Sequence, residues 1–195
     1  GPVVGCDEAG DAWNARVGHR VGHIGLALSA LVVHGRDDAG IVDLTARFGK
    51  DYPTLREAIA AGALAELAEE GARHQPDHAL DAISWQPPIP APEKIICIGV
   101  NYPDRNAEYK DGSEQPKYPS VFVRFPASFV AHGAPLVRPP ETRQFDYEGE
   151  IALVIGREGR RIAPGEAHAH IAGVTIMNEG TIRDWVKHGK FNVTQ

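Results

Sequence analysis

The chain has 195 residues, 43% hydrophobic and 24% charged, the composition of an ordinary soluble globular protein of one domain or two small ones. Its formal charge of −6 and pI near 5.8 oppose a nucleic-acid partner, which needs a basic footprint. No apolar run reaches the roughly 18 residues a bilayer span requires, the N-terminal Gly1-Pro2-Val3-Val4-Gly5 lacks a signal-peptide pattern, and Cys6 and Cys97 are too few for a disulfide scaffold. A cytoplasmic protein with no membrane contact is the expectation.

In chain order, Ile24–Leu28 and Ala30–His34 read as strands. The turn-rich Gly35–Gly40 and the short strand Ile41–Leu44 then make a hairpin. Tyr52-Pro53-Thr54 opens a helix, with Thr54 at the N-cap and Glu57 at N3. Leu55, Ile59, Leu64 and Leu67 form its apolar stripe, and Gly62 interrupts it. Residues 1–85 are thus expected to form a small α+β domain without evident chemistry. A proline-rich linker, 86–92, follows.

Beyond the linker, 93–195, the pattern is mostly β. Strands are expected at 94–100, 120–125, 147–156 and 171–177, with a helix at 103–110 and a helical turn or two at 182–188. Cys97 lies in the first of these strands and reads as a small core residue. His168-Ala169-His170 reads as solvated loop rather than a metal pair, and His132 carries no chemistry. Lys187, His188 and Lys190 read either as a basic rim beside an anionic substrate or as an ordinary solvated face.

The most informative stretch is Asp146-Tyr147-Glu148-Gly149-Glu150, followed by Ile151–Gly156. In a strand, alternation puts Asp146, Glu148 and Glu150 on one face. Carboxylates so placed repel one another unless a cation sits between them. Hard oxygen ligands suit Mg²⁺ first, then Mn²⁺ or Ca²⁺. A solvated acidic edge strand is the plain alternative.

Four segments together resemble the fumarylacetoacetate hydrolase family: Lys94–Tyr102, Pro119–Arg124, Asp146–Glu150 and Met177–Asp184. The resemblance covers about residues 92 to 195 and rests on the ordered set. It implies a mixed-β roll preceded by a small N-terminal domain, so an α+β, mostly β chain. It also implies a homodimer and an enzyme using Mg²⁺ on small anionic 2-oxo or 1,3-dioxo acids. The reaction would be C–C hydrolysis, decarboxylation, hydration or enol–keto isomerisation.

By the same resemblance, Glu148, Glu150 and Glu179 are the metal ligands, Glu179 standing where the family usually has Asp. Arg183 would bind a substrate carboxylate or brace the metal ligands by pairing with Asp184 or Glu148, and Tyr102 would donate to a substrate oxygen. Arg105 stands where many members have a His, and Glu108 keeps the position of its partner Glu. Arginine stays protonated and cannot act as a base. Arg105 is therefore expected to clamp an anionic group and Glu108 to move the proton through a water. That substitution favours decarboxylation or tautomerisation over water-activating hydrolysis. It also keeps open a non-catalytic metal- or ligand-binding paralogue without the His–Glu shuttle, and an acidic interaction module without metal is a third reading. The family continues beyond Phe191–Gln195, through a Lys that reaches the site, so about half of the usual catalytic domain is expected to lie outside this chain.

Overall fold

The computed structural model describes residues 26–27, 30–34, 40–102 and 117–186. The chain divides into two compact units. One takes residues 1–90, 130–136 and 147–179, the other 91–129, 137–146 and 180–195.

In the first unit, β1 (Leu26–Ala27), β2 (Ala30–His34) and β3 (Ile41–Asp43) form an antiparallel meander, as the hairpin pattern predicts. Val33 pairs with Val42 across β2 and β3. A short helix, Thr45–Phe48, follows β3 and was not anticipated. The Asp43 carboxylate accepts from the Thr45 N–H at 2.8 Å, which satisfies an orphan donor of its first turn.

The expected helical region is two helices, Leu55–Ala60 and Leu64–Gly71. Gly62 lies between them at φ +70°, a conformation that glycine adopts without steric cost. Thr54 occupies the N-cap with extended backbone but makes no side-chain bond to the helix amides. Its hydroxyl donates instead to the Glu57 carboxylate. That bond holds the Glu57 pKa below its ordinary value.

The apolar stripe closes the core. Val42, Leu44, Leu55, Ala58, Ala63 and Leu67 are buried together, with Ile59 and Leu64 packed against them. Leu67 is 2% exposed. Leu67→Ala is therefore expected to lower stability by about 2–5 kcal/mol, because the cavity adds to the lost burial. Urea denaturation of the purified chain measures it.

The same unit holds the longest strand pair. β7 (Gly149–Ile155) runs antiparallel to β8 (Ile171–Asn178), register Gly149↔Asn178 through Val154↔Gly173. The register shifts at Ile155, which pairs with Ile171. Ala172 is thereby skipped, a one-residue bulge. A Cβ on Gly156 would stand 2.6 Å from that of Ala172, so glycine permits the close approach. Burial alternates strictly along β7. Ile151, Leu153 and Ile155 form its exposed apolar row, while Glu150, Ala152 and Val154 are half-buried.

The turn before β8 is a 3-10 helix, Pro164–His170, opened by a proline that pre-sets φ. It corrects the reading of His170 as a solvated loop residue. His170 is buried, its Nδ1 2.9 Å from the Arg157 carbonyl and its Nε2 2.9 Å from Arg157 Nη2. A guanidinium only donates and a carbonyl only accepts, so Nδ1 carries the proton. The reason is local: Arg157, two residues past the register shift, meets both ring nitrogens, one with its carbonyl and one with its guanidinium. In this unit His132 meets Trp85 edge to face, ring centroids 6.1 Å apart.

In the second unit, β4 (Ile96–Gly99) pairs with β5 (Ser120–Val123), and β6 (Phe145–Asp146) with β9 (Thr181–Ile182). β4 is less buried than its apolar sequence suggests. Ile96 is 58% and Ile98 46% exposed, on the face they share with Val121 and Val123. Cys97 is half-buried opposite Phe122 rather than in a core. A two-stranded sheet covered on one face leaves the alternate residues outside. Residues 183–186 form a turn in which the amides of Trp185 and Val186 donate to the Ile182 carbonyl at 3.1 and 3.2 Å. These are the i+3 and i+4 bonds of a single helical turn, as expected for the start of 182–188; residues 187–188 lie outside the described residues.

Candidate metal centre

The strand expected over 147–156 starts late. Asp146 ends β6, residues 147 and 148 are not strand, and β7 begins at Gly149. A single face carrying Asp146, Glu148 and Glu150 is therefore not formed. Asp146 pairs instead with Arg183, whose Nε donates to its Oδ2 at 3.0 Å. Arg183 thus pairs with Asp146, a residue not among the partners the resemblance implies, a substrate carboxylate, Asp184 or Glu148.

Glu148 and Glu150 remain together, joined by Glu179 at the end of β8. Their carboxylate oxygens lie within 4.8 Å of one another. The ladder explains it: in an antiparallel pair, residues opposite each other share a face. Glu150 opposes Met177, and the Glu179 N–H donates to the Glu148 carbonyl at 2.7 Å. Glu148 and Glu179 therefore face each other one rung beyond the strand, on the same side as Glu150.

The cluster is withdrawn from water. Glu179 is 7% exposed, and Glu148 and Glu150 are half-buried. Burial, then the charges of Glu179 and Glu148, push the Glu150 pKa above its ordinary 4.5. The folded state then holds more protons than the unfolded state between 4.5 and the raised value, so stability of the metal-free chain falls as pH rises through that window. Glu150→Gln is expected to remove this slope and to raise metal-free stability at pH 7 by up to about 1 kcal/mol, the scale of opposed like charges on a sheet. Melting temperatures in chelator between pH 4 and 8 test it. As a donor set, three carboxylates at this spacing are of the hard-oxygen kind that Mg²⁺, Mn²⁺ and Ca²⁺ take.

The other expected site residues lie in the second unit or outside the described residues. Tyr102 is half-exposed just after β4. Val100, two residues before it, has φ +57°, an uncommon conformation for a β-branched residue that turns the chain out of the strand. Arg105, Glu108, Lys187, His188 and Lys190 lie outside the described residues. Asp184 accepts from the fully buried Thr142 hydroxyl, at 2.5 Å, and from the Arg143 N–H at 3.3 Å, so it braces the 138–144 loop. Arg124 donates from Nη2 to the Gly180 carbonyl at 2.8 Å. Neither brace was anticipated. Only the acidic and basic character of the residues hinted at them.

The sequence pattern of the family described as "Fumarylacetoacetate (FAA) hydrolase C-terminal" matches residues 94–195, just over half of the chain. The chain belongs to the fumarylacetoacetate hydrolase family. Oxaloacetate tautomerase YisK of Bacillus subtilis is 42% identical to it over 116 residues, 58% of this chain and 38% of that protein. The mitochondrial oxaloacetate tautomerase fahd2 of Xenopus laevis is 36% identical over 160 residues, 80% of this chain and 49% of that protein. The solved fumarylacetoacetate hydrolase of Exiguobacterium antarcticum superposes with a TM-score of 0.61 at 28% identity, covering 85% of this chain and 57% of that one. The chain spans about half or less of the length of these curated relatives. Its α+β, mostly β architecture is that of the family, as the resemblance implies. Its relatives are enzymes, tautomerases and hydrolases. No helix among the described residues is long and apolar enough to cross a membrane.

Proposed function

We propose that this chain carries the metal-binding half of an enzyme that interconverts the enol and keto forms of a small 2-oxo dicarboxylic acid of the oxaloacetate kind. The observation that carries the reading is the convergence of Glu148, Glu150 and Glu179 within 4.8 Å. Support comes from relatives that are oxaloacetate tautomerases and from the Arg at position 105.

The three glutamates would hold Mg²⁺, with Mn²⁺ or Ca²⁺ as substitutes. The cation would supply Lewis-acid polarisation to a chelated 2-oxo-carboxylate. The remaining work falls to the chain. A tautomerisation moves one proton between carbon and oxygen and needs no activated water. Glu108 is the proposed acid and base, because it is the carboxylate that the family resemblance puts at the shuttle's partner position. Arg105 and Arg183 supply fixed positive charge for substrate carboxylates, and a guanidinium suits these through paired N–H donors. Tyr102 donates its phenol to a substrate oxygen.

The test follows the ultraviolet absorbance of enol oxaloacetate with the purified chain, in Mg²⁺ and in excess chelator. The expected result is a decay faster than the buffer rate, saturable in substrate and lost in chelator. Saturable binding without turnover, on a polypeptide spanning the relatives' full length, would replace this reading with a non-catalytic metal- or ligand-binding paralogue. That alternative is favoured by the same observation at Arg105.

A further inference from the structure

We infer that Asn178 is a positioning residue for the glutamate cluster: its side chain holds the backbone from which Glu148 and Glu150 reach toward Glu179. The inference rests on the metal reading above and extends it to a residue that is not itself a ligand.

In a hydrogen-bonded rung of an antiparallel pair, which alternates with non-bonded rungs, the two opposed residues exchange both N–H···O bonds. Glu148 and Glu179 make one of them, Glu179 N–H to the Glu148 carbonyl at 2.7 Å. The Glu148 N–H, which such a rung would send to the Glu179 carbonyl, donates to Asn178 Oδ1 at 3.0 Å. Asn178, the last residue of β8, and Glu179, the next in the chain, thus grip both polar ends of the Glu148 backbone, one with its side chain and one with its main chain. This happens one residue before β7 begins, where the ladder alone would let the chain fray.

The register separates this role from ligation. Asn178 opposes Gly149, whereas Glu150 opposes Met177. Successive side chains alternate faces. Asn178 therefore works from the face opposite to Glu148 and Glu150, through the backbone. Gly149 has no side chain, which leaves that face open for the amide to reach back to Glu148. Metal ligands depend on partners that fix their orientation, and losing such a partner typically costs tenfold to a hundredfold in affinity.

The test uses two variants of the full chain. Asn178→Leu keeps the size and removes the acceptor. Asn178→Asp keeps an acceptor oxygen in the same place. Amide exchange at Glu148, read by NMR without metal, is expected to quicken by about fivefold to tenfold in the Leu variant, the scale of one hydrogen bond. In the Asp variant it is expected to stay near wild type. Mn²⁺ titration followed by electron paramagnetic resonance is expected to show one ion in each protein. The Leu variant should bind about tenfold to a hundredfold more weakly, the Asp variant at least as tightly as wild type. A Leu variant matching wild type in either measurement overturns the inference. So does a folded Asp variant with fast exchange at Glu148, which covers the case of a Leu variant that fails to fold. If wild type itself binds no Mn²⁺, the metal reading has failed. The amide measurement then decides by itself whether Asn178 holds Glu148.

Discussion

Glu150→Ala is expected to abolish Mg²⁺ and Mn²⁺ binding by this chain, and metal-dependent turnover with it. Burial and both neighbouring carboxylates raise the Glu150 pKa, so the fold disfavours its charge without a cation. A cation reverses that balance, because each of the three carboxylates then faces opposite charge. One such attraction at about 4 Å is worth on the order of 4 kcal/mol per pair of unit charges at an effective dielectric of about 20. Losing it lowers affinity by about a thousandfold, beyond the reach of a calorimetric titration at millimolar ion. The metal-free variant should be no less stable than wild type, since a repulsion has also gone. Retained binding, or full activity after stripping the metal from the variant, would remove the basis of the enzymatic reading.

Glu108→Gln is the second change with a large expected effect. It should lower the metal-dependent tautomerisation rate by about 10²–10⁴-fold, the usual share of a positioned acid or base. Mn²⁺ affinity should stay as in wild type, because Glu108 is not among the proposed ligands. Arg105 cannot give up its proton, and the family resemblance puts Glu108 at the position of the shuttle's partner carboxylate. A paired variant, Arg105→His, restores the residue many family members carry. An unchanged rate in Glu108→Gln would move the proton transfer to another group. A rate equal to buffer in wild type and variant alike would favour the non-catalytic paralogue.

Much of the site was legible in the chain. Glu148 and Glu150 are two residues apart in a segment of β-forming residues, and alternation alone puts both on one side. The hairpin, the helix start at Thr54, the break at Gly62 and the stripe ending in Leu67 followed from turn chemistry and periodicity. Asp146 shows where local reasoning stops. It has the same spacing from Glu148 as Glu150 does, yet it ends a different strand and pairs with Arg183. Periodicity carries a residue along a face only while the ladder continues, and here the ladder stops at Glu148. His170 makes the same point: it is buried, and both its ring nitrogens are held by Arg157, a residue of the facing chain segment.

The sequence by itself determined which residues could bind a hard cation, which family they belong to, and that Arg105 cannot be a base. Those are properties of side-chain chemistry and of spacing along one strand. Only the tertiary structure decided which carboxylates meet. Glu179 lies 29 positions beyond Glu150 and is brought to it by the β7–β8 register, which is set by cross-strand hydrogen bonds and not by the order of residues in either strand. The hold of Asn178 on Glu148 came to light in the same way. A hydrogen bond between a side chain and a distant backbone amide leaves no periodic trace in the chain.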